Sequence, residues 1–166
     1  MAAGATYEPI ATTTLASAAA TITFSSITSA YTDLRLVLVS SDGVGSSITV
    51  RFNGDTATNY SKTGLYGNGT AASSTRASSQ TQINLTANAT PTTTLGDVQY
   101  ITHIFNYANA TTYKTVLHRG DRASAGTEAI VGLWRSTSAI TSIVIKPSSG
   151  SWDTGSTFTL YGIKAA

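Results

Sequence analysis

Apolar residues in this chain alternate with polar ones one for one, and nowhere do they keep helical spacing for three turns. A period of two belongs to a strand with one face buried and the other in solvent. Thr21-Ile22-Thr23-Phe24-Ser25 alternates strictly, and Ile48-Thr49-Val50-Arg51-Phe52 does so again. In Leu34-Arg35-Leu36-Val37-Leu38-Val39 three leucines share one face, with Arg35, Val37 and Val39 on the other. Composition points the same way. Of 166 residues, 30 are Thr and 21 are Ser, and only 11% are charged, well under the usual share of about 25%. Helix surfaces draw on Glu, Lys, Arg and Gln, whereas β-branched Thr suits a pleated strand.

Further strands are expected over 58–66, 81–85, 98–106, 114–118, 129–134, 140–146 and 157–164, with turn signals such as Asn53-Gly54-Asp55 and Gly67-Asn68-Gly69 between them. Residues 70–79 are small or polar apart from Arg76 and read as a surface loop; 86–96, with Pro91, reads as a second. Nine to eleven short strands without a 20–50-residue repeat exclude a propeller or solenoid and predict an all-β fold, an antiparallel β-sandwich of jelly-roll type. The length suits one domain, assigned to 20–166. Residues 1–19 hold Tyr7, Ile10 and Leu15 as their only sizeable apolar groups and are expected to be an extended N-terminal arm or a first edge strand.

The formal charge of +2 is spread singly along the chain, without the basic stripe of a nucleic-acid binder, so no nucleic-acid partner is expected. Without cysteine there are no disulfides, thiolate nucleophiles or Cys–metal sites. No run of 18 apolar residues predicts a membrane span, and the first residues lack the basic and apolar regions of a cleaved signal.

Nothing in the residues specifies a reaction. His103 falls mid-strand beside apolar residues and reads as structural; His118, next to Arg119, reads as a strand end. The acids Glu8, Asp33, Asp42, Asp55, Asp97, Asp121, Glu128 and Asp153 mostly neighbour Gly, Thr or turns, where Asp bonds the local backbone. A glycosidase would need two of them facing one cleft, and a Gly-x-Ser-x-Gly elbow is missing. No cofactor is expected. Arg119-Gly120-Asp121 reads as a turn, not an adhesion motif, and five Asn-x-Ser/Thr triplets follow from composition. Tyr60, Tyr66, Tyr107 and Tyr113 lie near strand ends, where a ring can pack in the core or bond through a buried hydroxyl.

Several segments carry a resemblance. Phe52-Asn53-Gly54-Asp55, Asn59-Tyr60-Ser61 and Leu65-Tyr66-Gly67-Asn68-Gly69 are similar to pieces of small virion proteins of tailed bacteriophages, cyanobacterial phages among them. So are Ile104-Phe105-Asn106-Tyr107-Ala108-Asn109, Tyr113-Lys114-Thr115, Val131-Gly132-Leu133-Trp134-Arg135 and the closing run from Gly155 to Lys164. The resemblance implies a β-sandwich structural component of the virion and carries no catalytic residues. The first reading is a capsid decoration, or cement, protein that binds the major capsid protein or other virion proteins and forms a homo-oligomer such as a trimer. The second is a fibre domain that binds a receptor or host-surface glycan. Tyr7, Ile10 and Leu15 are the residues expected to reach a partner.

Overall fold

The computed structural model describes residues 6–40, 46–86, 98–122 and 126–164. The chain forms twelve strands among these residues and no helix. They are β1 (Tyr7–Thr14), β2 (Ile22–Phe24), β3 (Asp33–Ser40), β4 (Ile48–Phe52), β5 (Tyr60–Gly67) and β6 (Ala72–Gln80), then β7 (Ile83–Asn84), β8 (Val98–Phe105), β9 (Lys114–Arg122), β10 (Gly126–Trp134), β11 (Ile143–Pro147) and β12 (Thr157–Ile163). An eight-stranded sheet runs β1-β12-β3-β8-β9-β10-β5-β6 and a four-stranded sheet runs β2-β11-β4-β7, every pairing antiparallel. The nested pairs β2·β11, β3·β8, β4·β7 and β5·β6 are those of a jelly roll. A three-stranded meander, β8-β9-β10, stands where a single strand would close the roll, and β12 and β1 extend the sheet beyond β3.

The alternation read from the sequence sets which face is buried. Leu34, Leu36 and Leu38 point inward, in register with Ile104, Thr102 and Tyr100 on β8 and with Gly162, Leu160 and Phe158 on β12. Ile48, Val50 and Phe52 meet them from the small sheet, with Ile143 and Ile145 beside them. Fully burying each such side chain contributes roughly 1.5–3 kcal/mol. Gly132 lets the layers close: a Cβ there would sit 2.7 Å from Val116 Cγ2 and 2.8 Å from Ile83 Cγ2.

Buried tyrosines tie the connections to this core. Tyr60 accepts from Phe52 N at 3.2 Å and donates toward Phe52 O at 3.3 Å. Tyr107 donates to Thr28 O and accepts from Tyr31 N at 3.3 Å. Both rings are fully buried, whereas Tyr113 is exposed.

Three expectations change. Residues 72–80, read as part of a loop, form β6, the edge strand beside β5. Its side chains are exposed apart from half-buried Thr75 and Ala77, so no large apolar residue marks it; Asn68 Oδ1 shapes the turn before it by accepting from Thr70 N and Ala71 N. Residues 7–14 are the opposite edge strand, laid along β12, so the arm reading gives way to the edge-strand alternative over that stretch. Leu15 lies in the chain's own core, and its N–H bonds Ser156 O at 3.0 Å, so it is not a partner-contact residue. Of the second expected loop, residues 87–96 lie outside the described residues, as do Asp42 and Asp97.

Candidate interaction surface

Among the described residues, both histidines and the acids Asp33, Asp55 and Glu8 are engaged in local bonds. His118 sits mid-strand, because β9 continues to Arg122, and not at a strand end as its neighbour Arg119 implied. Its side chain points inward and is fully buried, with Nδ1 2.8 Å from Thr102 Oγ1 and the ring stacked 5.5 Å from that of Tyr100. Burial, reinforced by the Lys62 charge, pushes its pKa down to about 3. It is a neutral core group without a route to solvent.

His103 lies on the opposite face, 3.2 Å from Asp33 and stacked on Phe105 at 4.1 Å. The second Asp33 oxygen accepts from Asn106 N at 2.7 Å, so the aspartate holds the turn after β8. Asp55 accepts from Ala57 N, Asn59 Nδ2 and Trp134 Nε1 at 2.7–2.9 Å, and these bonds hold its carboxyl below the usual range. Glu8 pairs with Lys164 at 2.6 Å. Among the described residues, no three His, Asp or Glu side chains converge as metal ligands would.

Arg119-Gly120-Asp121 lies inside β9 and not at a turn. Gly120 faces the core, where a Cβ would meet the Tyr100 ring at 2.8 Å, and Arg119 pairs outward with Asp121 at 3.0 Å. The motif spends its charges on itself.

What stands out is the outer face of the eight-stranded sheet. Leu117 on β9 and Val131 on β10 are register partners, and Leu65 on β5 lies opposite Ala129, two residues along β10 and on the same face. Leu65 is 63% exposed, Val131 50% and Leu117 45%. Large apolar side chains grouped this way on an exposed face mark interaction surfaces more often than singly scattered ones do. A cleft of about 350 Å³ opens beside Leu65, lined by Tyr66, Ala72, Arg119 and Ala129 among others. The sequence signal for this patch was present but unread: Val116-Leu117 and Ile130-Val131 put apolar residues on both faces of one strand.

At the other end of the same face, a cleft of about 300 Å³ is lined by Tyr7, Arg35, Val37 and Tyr161. Of the residues expected to reach a partner, Tyr7 is 48% exposed here, while Ile10 is half-buried and packs against the core. Arg35 Nη1 donates to Tyr7 Oη at 3.2 Å, and the guanidinium carbon lies 5.8 Å from the Tyr7 ring centre. Tyr7 and Tyr161 meet edge to face at 6.5 Å.

No family model matches the chain, and no curated protein does. Among solved structures it is similar to an exo-inulinase from Aspergillus awamori, at 12% identity and a TM-score of 0.45, over 95% of this chain and 29% of that one.

Proposed function

We propose that this chain is a non-catalytic assembly subunit, a capsid decoration protein of a tailed-phage head, which docks through the outer face of its eight-stranded sheet. The observation that carries the reading is the exposed Leu65, Leu117 and Val131 patch on β5, β9 and β10. Arg119 on this side is paired with Asp121 within the chain, so its charge does not oppose docking of an apolar partner. The resemblance of several segments to phage virion proteins supports reading the particle as a phage head. Tyr60, Tyr107 and the Asn53 turn in those segments fix the connections of the sandwich.

The test is co-sedimentation with protein-stripped phage heads. Truncating the first 19 residues is unsuitable, because it removes β1 and the core residue Leu15. Val131→Lys and Leu117→Lys change only exposed side chains. Wild type is expected to sediment with heads and each variant to stay in the supernatant, with unfolding curves that overlay. Variants that bind as wild type does, or a wild type that ignores heads, would refute the proposal.

A further inference from the structure

We infer that the cleft formed by β1, β12 and β3 binds a saccharide that carries a carboxylate. Four side chains make it, from segments far apart in sequence: Tyr7, Arg35, Val37 and Tyr161. Its volume of about 300 Å³ lies at the small end of ligand sites and suits one or two sugar rings. A guanidinium has five N–H donors, and Arg35 uses one of its nitrogens on Tyr7 Oη. Among the described residues it has no carboxylate partner, whereas the exposed Arg119 toward the other end of this face has Asp121. A half-buried guanidinium with spare donors, held in place by one phenol, is prepared for the two oxygens of a carboxylate.

The rings define the rest of the ligand. Tyr7 and Tyr161 both line the cleft and stand edge to face, so it offers aromatic surface together with phenol hydroxyls. The negative face of an aromatic ring favours the positive edges of C–H groups, which line one side of a pyranose, and hydroxyls of the sugar can pair with the phenols. Val37 adds an apolar side chain to the lining. A free inorganic anion would engage Arg35 and leave the rings and Val37 unused.

This inference stands apart from the docking proposal. The cleft lies on β1-β12-β3 and the apolar patch on β9-β10-β5, separated by β8, so either can fail alone. The probes are trigalacturonic acid, its methyl ester and a triglutamate peptide, titrated into the full chain and followed by calorimetry and amide chemical shifts. The acid is expected to bind about tenfold tighter than the ester, with shifts at Tyr7, Arg35, Val37 and Tyr161. Arg35→Gln is expected to abolish that tenfold difference, and Arg35→Lys to restore part of it. Equal binding of acid and ester to wild type, shifts outside the cleft, or no saturable binding at millimolar concentration would overturn the inference. Stronger binding of triglutamate at the same residues would overturn the saccharide assignment. The wild-type comparison decides the matter even where an Arg35 variant folds poorly.

Discussion

Lowering the pH from 8 to 5 perturbs one buried group before the paired carboxylates respond. Folded His118 keeps its imidazole neutral, with its pKa down at about 3 against 6.5 in an open chain. The sign follows from linkage: the unfolded chain binds the proton first, so the stability this group contributes is whole above pH 6.5 and is lost as pH falls toward 3. At pH 5 the open-chain pKa of 6.5 lies 1.5 units above the pH of the solution. At 1.36 kcal/mol per unit, unfolding gains about 2 kcal/mol, roughly a thirtyfold rise in the unfolding constant. Asp55 and Glu8, both held below their ordinary values of 3.8 and 4.5, lose their contributions only at lower pH. Urea unfolding across this range measures the effect as a falling midpoint at constant slope. His118→Asn sharpens the test, since its amide can still meet Thr102 Oγ1 but does not titrate. The variant starts less stable, from the lost ring, and its unfolding free energy is expected to fall by about 2 kcal/mol less than wild type's between pH 8 and 5. Subtracting the two profiles removes whatever His103 adds. Parallel profiles, or an imidazole resonance of folded His118 that titrates near 6, would refute the reasoning.

Asp55→Ala removes the acceptor of the Trp134 indole, whose ring is buried between Phe52 and Tyr60; a loss of about 2–3 kcal/mol is expected in urea unfolding, with Asp55→Asn losing less. Gly132→Ala places a methyl against Val116 and Ile83 and is expected to cost about 1–3 kcal/mol through overpacking, read as a lowered thermal midpoint with unchanged circular dichroism. Lys114 is fully buried and its ammonium donates to Thr112 O and Thr137 O at 2.8 and 3.2 Å. Lys114→Met leaves both carbonyls without that donor, and stability at pH 7 is expected to fall by about 1–3 kcal/mol. A stability equal to wild type would show that water replaces the amine.

The sequence alone determined that the chain is all-β and which side of its central strands is buried. Leu34, Leu36 and Leu38 could share a face only as a strand, and the Asn-Gly turns could only punctuate strands. It also placed Tyr60 and Tyr107 where a buried hydroxyl could tie a connection. Tertiary structure decided what had no local signature. β6 is held by its ladder with β5 and buries no large apolar side chain, so no hydrophobic period marks it. Leu15 became core because the segment after β1 turns inward to bond Ser156, and His118 became core because β9 runs four residues past it. The outer face was half legible. Adjacent apolar residues such as Ile130-Val131 announce a strand apolar on both sides, but only the sheet order shows which side the second layer covers. Arg35 and Tyr7 meet because β12 lies between their strands. A cross-strand neighbour is set by pairing register, and register is a property of the assembled sheet, which no stretch of sequence contains.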